Sequence, residues 1–138
     1  LYNYKNQGKK IIGLEKMIEQ IDAINSISYE KQAKELVNAV NKANDLNNNE
    51  IDDLISYYIK GDLESLLAIT THDDSLLNEY NSIINEIFID KRNKKMADRC
   101  VKHLKENSTF IAIGAAHLPG ENGVIELLRR KGFNVEAN

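Results

Sequence analysis

The sequence predicts a helix-rich α/β fold: a small, mostly parallel sheet built from strands near both chain ends, with a large helical insertion between them. Three observations predict it. Short apolar runs stand at Lys9–Glu15 and Phe110–Ile113, and a third begins at Phe133. Five or six stretches of helical apolar spacing fill the interval. Thr109–Val135 reads as strand, loop, helix, strand, the order of a crossover unit.

The bulk properties set the frame. With 138 residues, 42% hydrophobic and 28% charged, the chain is long enough for one domain with its own core. A net charge of −3 and the lack of a Lys/Arg cluster interleaved with aromatics argue against a nucleic-acid partner. No apolar run approaches the roughly 20 residues of a membrane helix. The single cysteine, Cys100, excludes an internal disulfide and a cysteine-based zinc finger. The chain starts at Leu1, so residues 1–138 are expected to be a single domain cut from a longer protein.

In order, Lys9–Glu15 is a candidate strand, and Met17, Ile18, Ile21 and Ile24 recur at helical spacing to Asn25. Ser28 caps the next helix, whose apolar face is Ala33, Leu36, Val37 and Val40. The Asn-rich stretch 41–50 reads as a loop ending in a cap at Asn49. The helix after it carries a stripe of Ile51, Leu54, Ile55, Tyr58 and Ile59, expected to be buried. Gly61 ends that helix and Asp62 caps a short one through Leu66, Leu67 and Ile69. Thr71–Asp74 resembles a cap for a helix through Leu76 to Ile87. The polar run Asp90–Asn93 marks a break or a junction, after which Met96, Ala97, Cys100, Val101 and Leu104 resume the spacing. Phe110–Ile113 then reads as a strand buried on both faces. Gly132 sits where a helix C-cap belongs.

The chemistry-bearing residues follow from this layout. His117 stands where the strand Phe110–Ile113 should run out, and α/β sites gather at such strand ends. It is either a polar residue capping the strand or a metal ligand or general base. Gly114 would let a ligand or a second segment come close. Glu15 is either the start of a solvated helix or, on a parallel neighbour, a carboxylate at the same sheet edge, able to share a divalent metal with His117 or divide acid and base roles. Arg92, with Asn93 beside it, is either a solvated turn or a clamp on a substrate carboxylate or on Glu15. His72 and His103 are weaker candidates, and Cys100 lies on an apolar stripe.

Phe110–Val135, with its Gly-x-x-His-Leu-Pro-Gly run, resembles the C-terminal signature of the TraB/GumN family of Tiki- and PrgY-like proteins. Asp90–Ala97 is similar to that family's Arg-Asn helix start, and Gly13–Gln20 to its Leu-Glu segment. The resemblance implies an α/β metal-dependent hydrolase, a peptidase, that uses two Gly-x-x-His motifs with a Glu and an Arg. Gly114–His117 matches the second motif, Glu15 the Glu and Arg92 the Arg. Glu15 and His117 are then expected to ligate a divalent metal ion, with Gly114 beside it. The first motif is not in this chain, so the expected site is half of one and the chain alone is expected to be inactive. The substrate is expected to be a peptide or small molecule. By resemblance, the longer protein is expected to be secreted, periplasmic or membrane-anchored. Two other readings stay open: a non-catalytic peptide- or small-ligand-binding protein of the same fold, and a chain that pairs with a second copy across exposed edges.

Overall fold

The computed structural model describes residues 8–43, 50–70 and 82–136. The readings at Asn44–Asn49, Thr71–Asp74 (His72 included) and Leu76–Tyr80 lie outside the described residues.

The helices stand where the apolar spacing put them. α1 is Met17–Asn25, α2 Tyr29–Ala43, α3 Glu50–Lys60 and α4 Leu63–Thr70. α5 is Lys91–Glu106 and α6 Val124–Arg130. Their ends follow local chemistry. Ser28 Oγ accepts the Lys31 N–H at 3.3 Å, and Asp62 accepts from the Ser65 N–H and hydroxyl at 3.0 and 2.7 Å. Gly61 and Gly132 have positive φ, as helix-terminating glycines do.

The polar run at Asp90 is not a break. Asn85–Asp90 is a π-helical segment leading directly into α5, with the Lys91 N–H bonded to Glu86 O, five residues back. Such a wide turn shifts the helical register. Arg92 and Asn93 follow it in the first turn of α5.

The predicted sheet is not there. Among the described residues no strand forms, and the fold is helical throughout its regular elements. Segments 9–13, 108–114 and 133–136 are irregular backbone with no hydrogen-bond ladder between them. A strand exists only when its N–H and C=O groups find a neighbouring strand. Apolar sequence alone does not supply that neighbour. What survives of the strand pattern is its period of two. Ile111 and Ile113 turn towards the core, as do Phe133 and Val135, while Phe110 is 93% exposed. The Phe110–Ile113 run is therefore half-buried, not buried on both faces.

The core sits between α5 and α6. Met96, Ala97 and Cys100 on α5 meet Val124 and Leu128 on α6, and Leu14, Ile111, Ile113, Phe133 and Val135 close around them. Cys100 is fully buried, a small apolar core residue as expected. The stripes of α1 to α3 are a second correction. They have the predicted spacing but are not covered: Met17, Leu36, Ile51 and Tyr58 are each more than 60% exposed.

Candidate functional site

The first turn of α5, the bend before α1 and the turn after residue 113 converge. Glu15 lies in the bend, and Arg92 reaches it with a two-pronged grip. Arg92 Nε donates to Glu15 Oε1 and Nη2 to Oε2, each at 2.8 Å. Nη1 donates to the Phe88 carbonyl at 3.2 Å, which orients the guanidinium from the π-helical side. Both side chains are largely buried, 20% and 10% exposed. The fork holds the Glu15 carboxyl below the usual carboxylate range against the opposing effect of burial. Glu15 is thus a fixed negative charge at neutral pH.

A second fork lies two turns further along α5. Arg99 donates to both carboxylate oxygens of Glu19, at 2.8 and 2.7 Å, and to the Leu14 carbonyl at 2.6 Å. Glu19 also accepts the Lys16 N–H at 2.8 Å, closing the start of α1. Together the two forks tie the segment Leu14–Glu19 along α5.

His117 ends a short 3-10 turn, Ala115–His117, closed by its own N–H to the Gly114 carbonyl at 2.9 Å. Its Nδ1 lies 2.7 Å from Asn93 Oδ1. Asn93 is fully buried and donates from Nδ2 to the Asn122 carbonyl at 2.8 Å. Asn122 in turn donates from its own amide to Asp90 Oδ2 at 2.9 Å. Burial pushes the His117 pKa down, the neighbouring Arg92 charge pushes the same way, and Glu15 pulls against them. The imidazole is therefore biased to its neutral form.

Gly114 lies on the far side of the ring. Its φ of −60° and ψ of 140° suit any residue, so backbone freedom does not require the glycine. A Cβ there would stand 3.7 Å from His117 Cδ2, the carbon bonded to Nε2. Glycine keeps that edge of the ring open. Beyond His117 the loop folds tightly: a Cβ on Gly123 would collide with the carbonyl oxygens of Leu118 and Pro119. The loop lies against α4, with Leu67 beside Gly120. A groove of about 450 Å³ opens there, lined by apolar Leu63, Leu67 and Leu118 and by charged Glu64, Glu126 and Arg129 among others.

The structure thus brings together Glu15, Arg92 and His117, with Gly114 at the ring edge, and does so without the sheet that was expected to align them. His103 lies in the last turn of α5, where its carbonyl accepts from the Asn107 N–H and the Thr109 hydroxyl. Asn93 was noticed only as Arg92's neighbour. Asp90 reads as part of a polar break, and Asn122, Glu19 and Arg99 are not marked as site residues by the local pattern. One signal was available for the last pair. Arg92 and Arg99 share a face of α5 at i,i+7, and Glu15 and Glu19 stand four residues apart, a matching spacing.

The donor set can be compared with what a metal needs. A catalytic zinc-type centre takes three protein ligands. Among the described residues, no three His, Cys, Asp or Glu side chains lie close enough to hold one ion. Both Glu15 oxygens already accept from Arg92, whereas His117 Nε2 fits a ligand position. Glu15, whose oxygens keep further lone pairs, and His117 are two candidate donors among the described residues, fewer than the three of a complete centre. No described helix is long and apolar enough to cross a membrane.

The signature of the TraB/PrgY/gumN family matches residues 3–137. The chain is 34% identical over 102 residues to "Metalloprotease TIKI2" of Xenopus tropicalis, covering 62% of this chain and 20% of the relative. It is 34% identical over 104 residues to human "Metalloprotease TIKI1", with the same coverage. To "Metalloprotease TIKI homolog" of Nematostella vectensis it is 28% identical over 155 aligned positions, covering 95% of this chain and 33% of that relative. The chain therefore spans only a fifth to a third of the length of these relatives. No solved structure matches.

Proposed function

Since the chain belongs to the TraB/PrgY/gumN family, we propose that it is the His117-bearing part of a metal-dependent peptide hydrolase. The observation that carries this reading is the placement of a half-buried imidazole, biased to its neutral form, beside a carboxylate locked by an arginine fork. A bound divalent metal supplies carbonyl polarisation and water activation in enzymes of this type, and His117 Nε2 is the atom of this chain that would hold it.

The chain's own residues supply the rest. Arg92 keeps Glu15 ionised and oriented, so Glu15 serves as a fixed counter-charge to His117 and not as a proton donor. Asn93 holds the His117 ring in place from the Nδ1 side. The groove beside the loop, lined by apolar and charged side chains alike, fits a substrate side chain lying next to the reacting bond.

The test is cleavage of a peptide library by the whole protein, including whatever sequence flanks these residues, after chelation and re-addition of single divalent metals. Chelator-sensitive cleavage that falls at least about 100-fold in His117→Ala is expected. Unchanged cleavage in that variant would remove His117 from the mechanism. Tight peptide binding without turnover at any metal would replace this reading with the non-catalytic one.

A further inference from the structure

We infer that Asn93 is a positioning residue that fixes the tautomer of His117, pinned in turn by Asn122 and Asp90, so that the ring carries its proton on Nδ1 and presents a bare Nε2. This rests on the reading above only for the purpose it gives Nε2; the hydrogen-bond logic stands by itself.

The Asn122 carbonyl can only accept, so the Asn93 atom 2.8 Å from it must be the amide nitrogen. That choice turns Asn93 Oδ1 towards His117. Oδ1 can only accept as well, so the His117 Nδ1 at 2.7 Å from it must carry a hydrogen. A neutral imidazole has one such hydrogen, and Nε2 is left with its lone pair. Burial strengthens the assignment. Asn93 is fully buried, and turning its amide over would set oxygen against oxygen at Asn122, leaving both without a partner.

The pinning comes from two places. Asp90, the last residue of the π-helical segment, accepts from the Asn122 side chain at 2.9 Å and holds that residue in register. Gly123, where no side chain fits, keeps the loop folded so that the Asn122 carbonyl faces α5. Asp90 does not touch the imidazole and moves no proton; its effect passes through the position of Asn122. Buried imidazoles that work through one nitrogen generally have the other held in this way.

The deciding measurement is a long-range ¹H–¹⁵N correlation spectrum of the imidazole nitrogens in the folded chain, above the pH at which His117 titrates. The expected result is a protonated, pyrrole-type Nδ1 and an unprotonated, pyridine-type Nε2. Asn93→Ala, shown to be folded by circular dichroism, should shift His117 towards mixed tautomers. Should that variant not fold, the wild-type spectrum decides alone, since a ring protonated on Nε2 cannot donate to Asn93 Oδ1. A wild-type ring protonated on Nε2, or an Asn93→Ala ring with unchanged tautomer, would overturn the inference. A ring held as Nδ1–H in a protein that cleaves no peptide keeps this inference and removes the hydrolase reading. A cleaving protein whose His117 carries its proton on Nε2 does the reverse.

Discussion

Arg92 and Glu15, 77 residues apart in sequence, meet through two parallel N–H···O bonds of 2.8 Å. The fork closes the bend before α1 onto the first turn of α5. Lysine carries the same charge but is a single point donor on a flexible stem and cannot reproduce it. Arg92→Lys should therefore lower stability, by about 1.5–3 kcal/mol, the range for hydrogen bonds to charged groups. A double-mutant cycle of Arg92→Ala and Glu15→Ala in urea denaturation should give a coupling energy of similar size. Additive effects would mean the fork contributes nothing.

Glu19 sets the acid limit of the second fork. Arg99, helped by the Lys16 N–H, holds its carboxyl down to about 2 from the ordinary 4.5. A depressed carboxyl stabilises the fold above its unfolded pKa and loses that contribution as pH falls through the folded one. Arg99→Ala should therefore be less stable than the parent at neutral pH, with the gap shrinking between about pH 4.5 and pH 2. Urea midpoints across that window check it. A constant gap would show that Arg99 acts through packing alone.

Gly123 has no room for a side chain, so Gly123→Ala should cost about 2 kcal/mol by overpacking. It should also weaken the Asn122–Asn93 bond and loosen His117. Thermal unfolding and the imidazole spectrum together test this. A variant with unchanged Tm would show that the loop relaxes freely.

Gly114 behaves differently. Its backbone suits any residue, so Gly114→Val should change stability by no more than about 0.5 kcal/mol. Its Cβ would stand 3.7 Å from His117 Cδ2, the carbon bonded to Nε2, with two methyl groups added beyond that contact. Cleavage by the whole protein should then fall with the fold intact. Full activity in Gly114→Val would place the working edge of the ring elsewhere.

The bare stripes of α1 to α3 predict self-association. Ile21, Leu36, Ile55 and Tyr58 stand 42%, 66%, 48% and 63% exposed, an apolar surface of the kind that pairs with another copy. Light scattering of the isolated chain should show a concentration-dependent dimer that Ile21→Glu with Ile55→Glu disperses. A monomer at all concentrations would exclude pairing through these faces.

The sequence by itself determined the helices and named the candidate site residues. Apolar spacing, Ser28, Asp62, Gly61 and Gly132 specify elements through contacts within a few residues, so they are readable one stretch at a time. Glu15, Arg92, Gly114 and His117 were legible as types at telling positions, and the family likeness linked them. The sheet was misjudged because apolar runs reveal extended backbone but not a hydrogen-bonding neighbour. The stripes of α1 to α3 were misjudged because periodicity shows which face is apolar, not what covers it. Only the tertiary structure decided that Arg92 grips Glu15 and that Asn93 and Asn122 fix the His117 ring. Those relationships join residues far apart in sequence, and the direction of each hydrogen bond depends on which atom the fold sets opposite which.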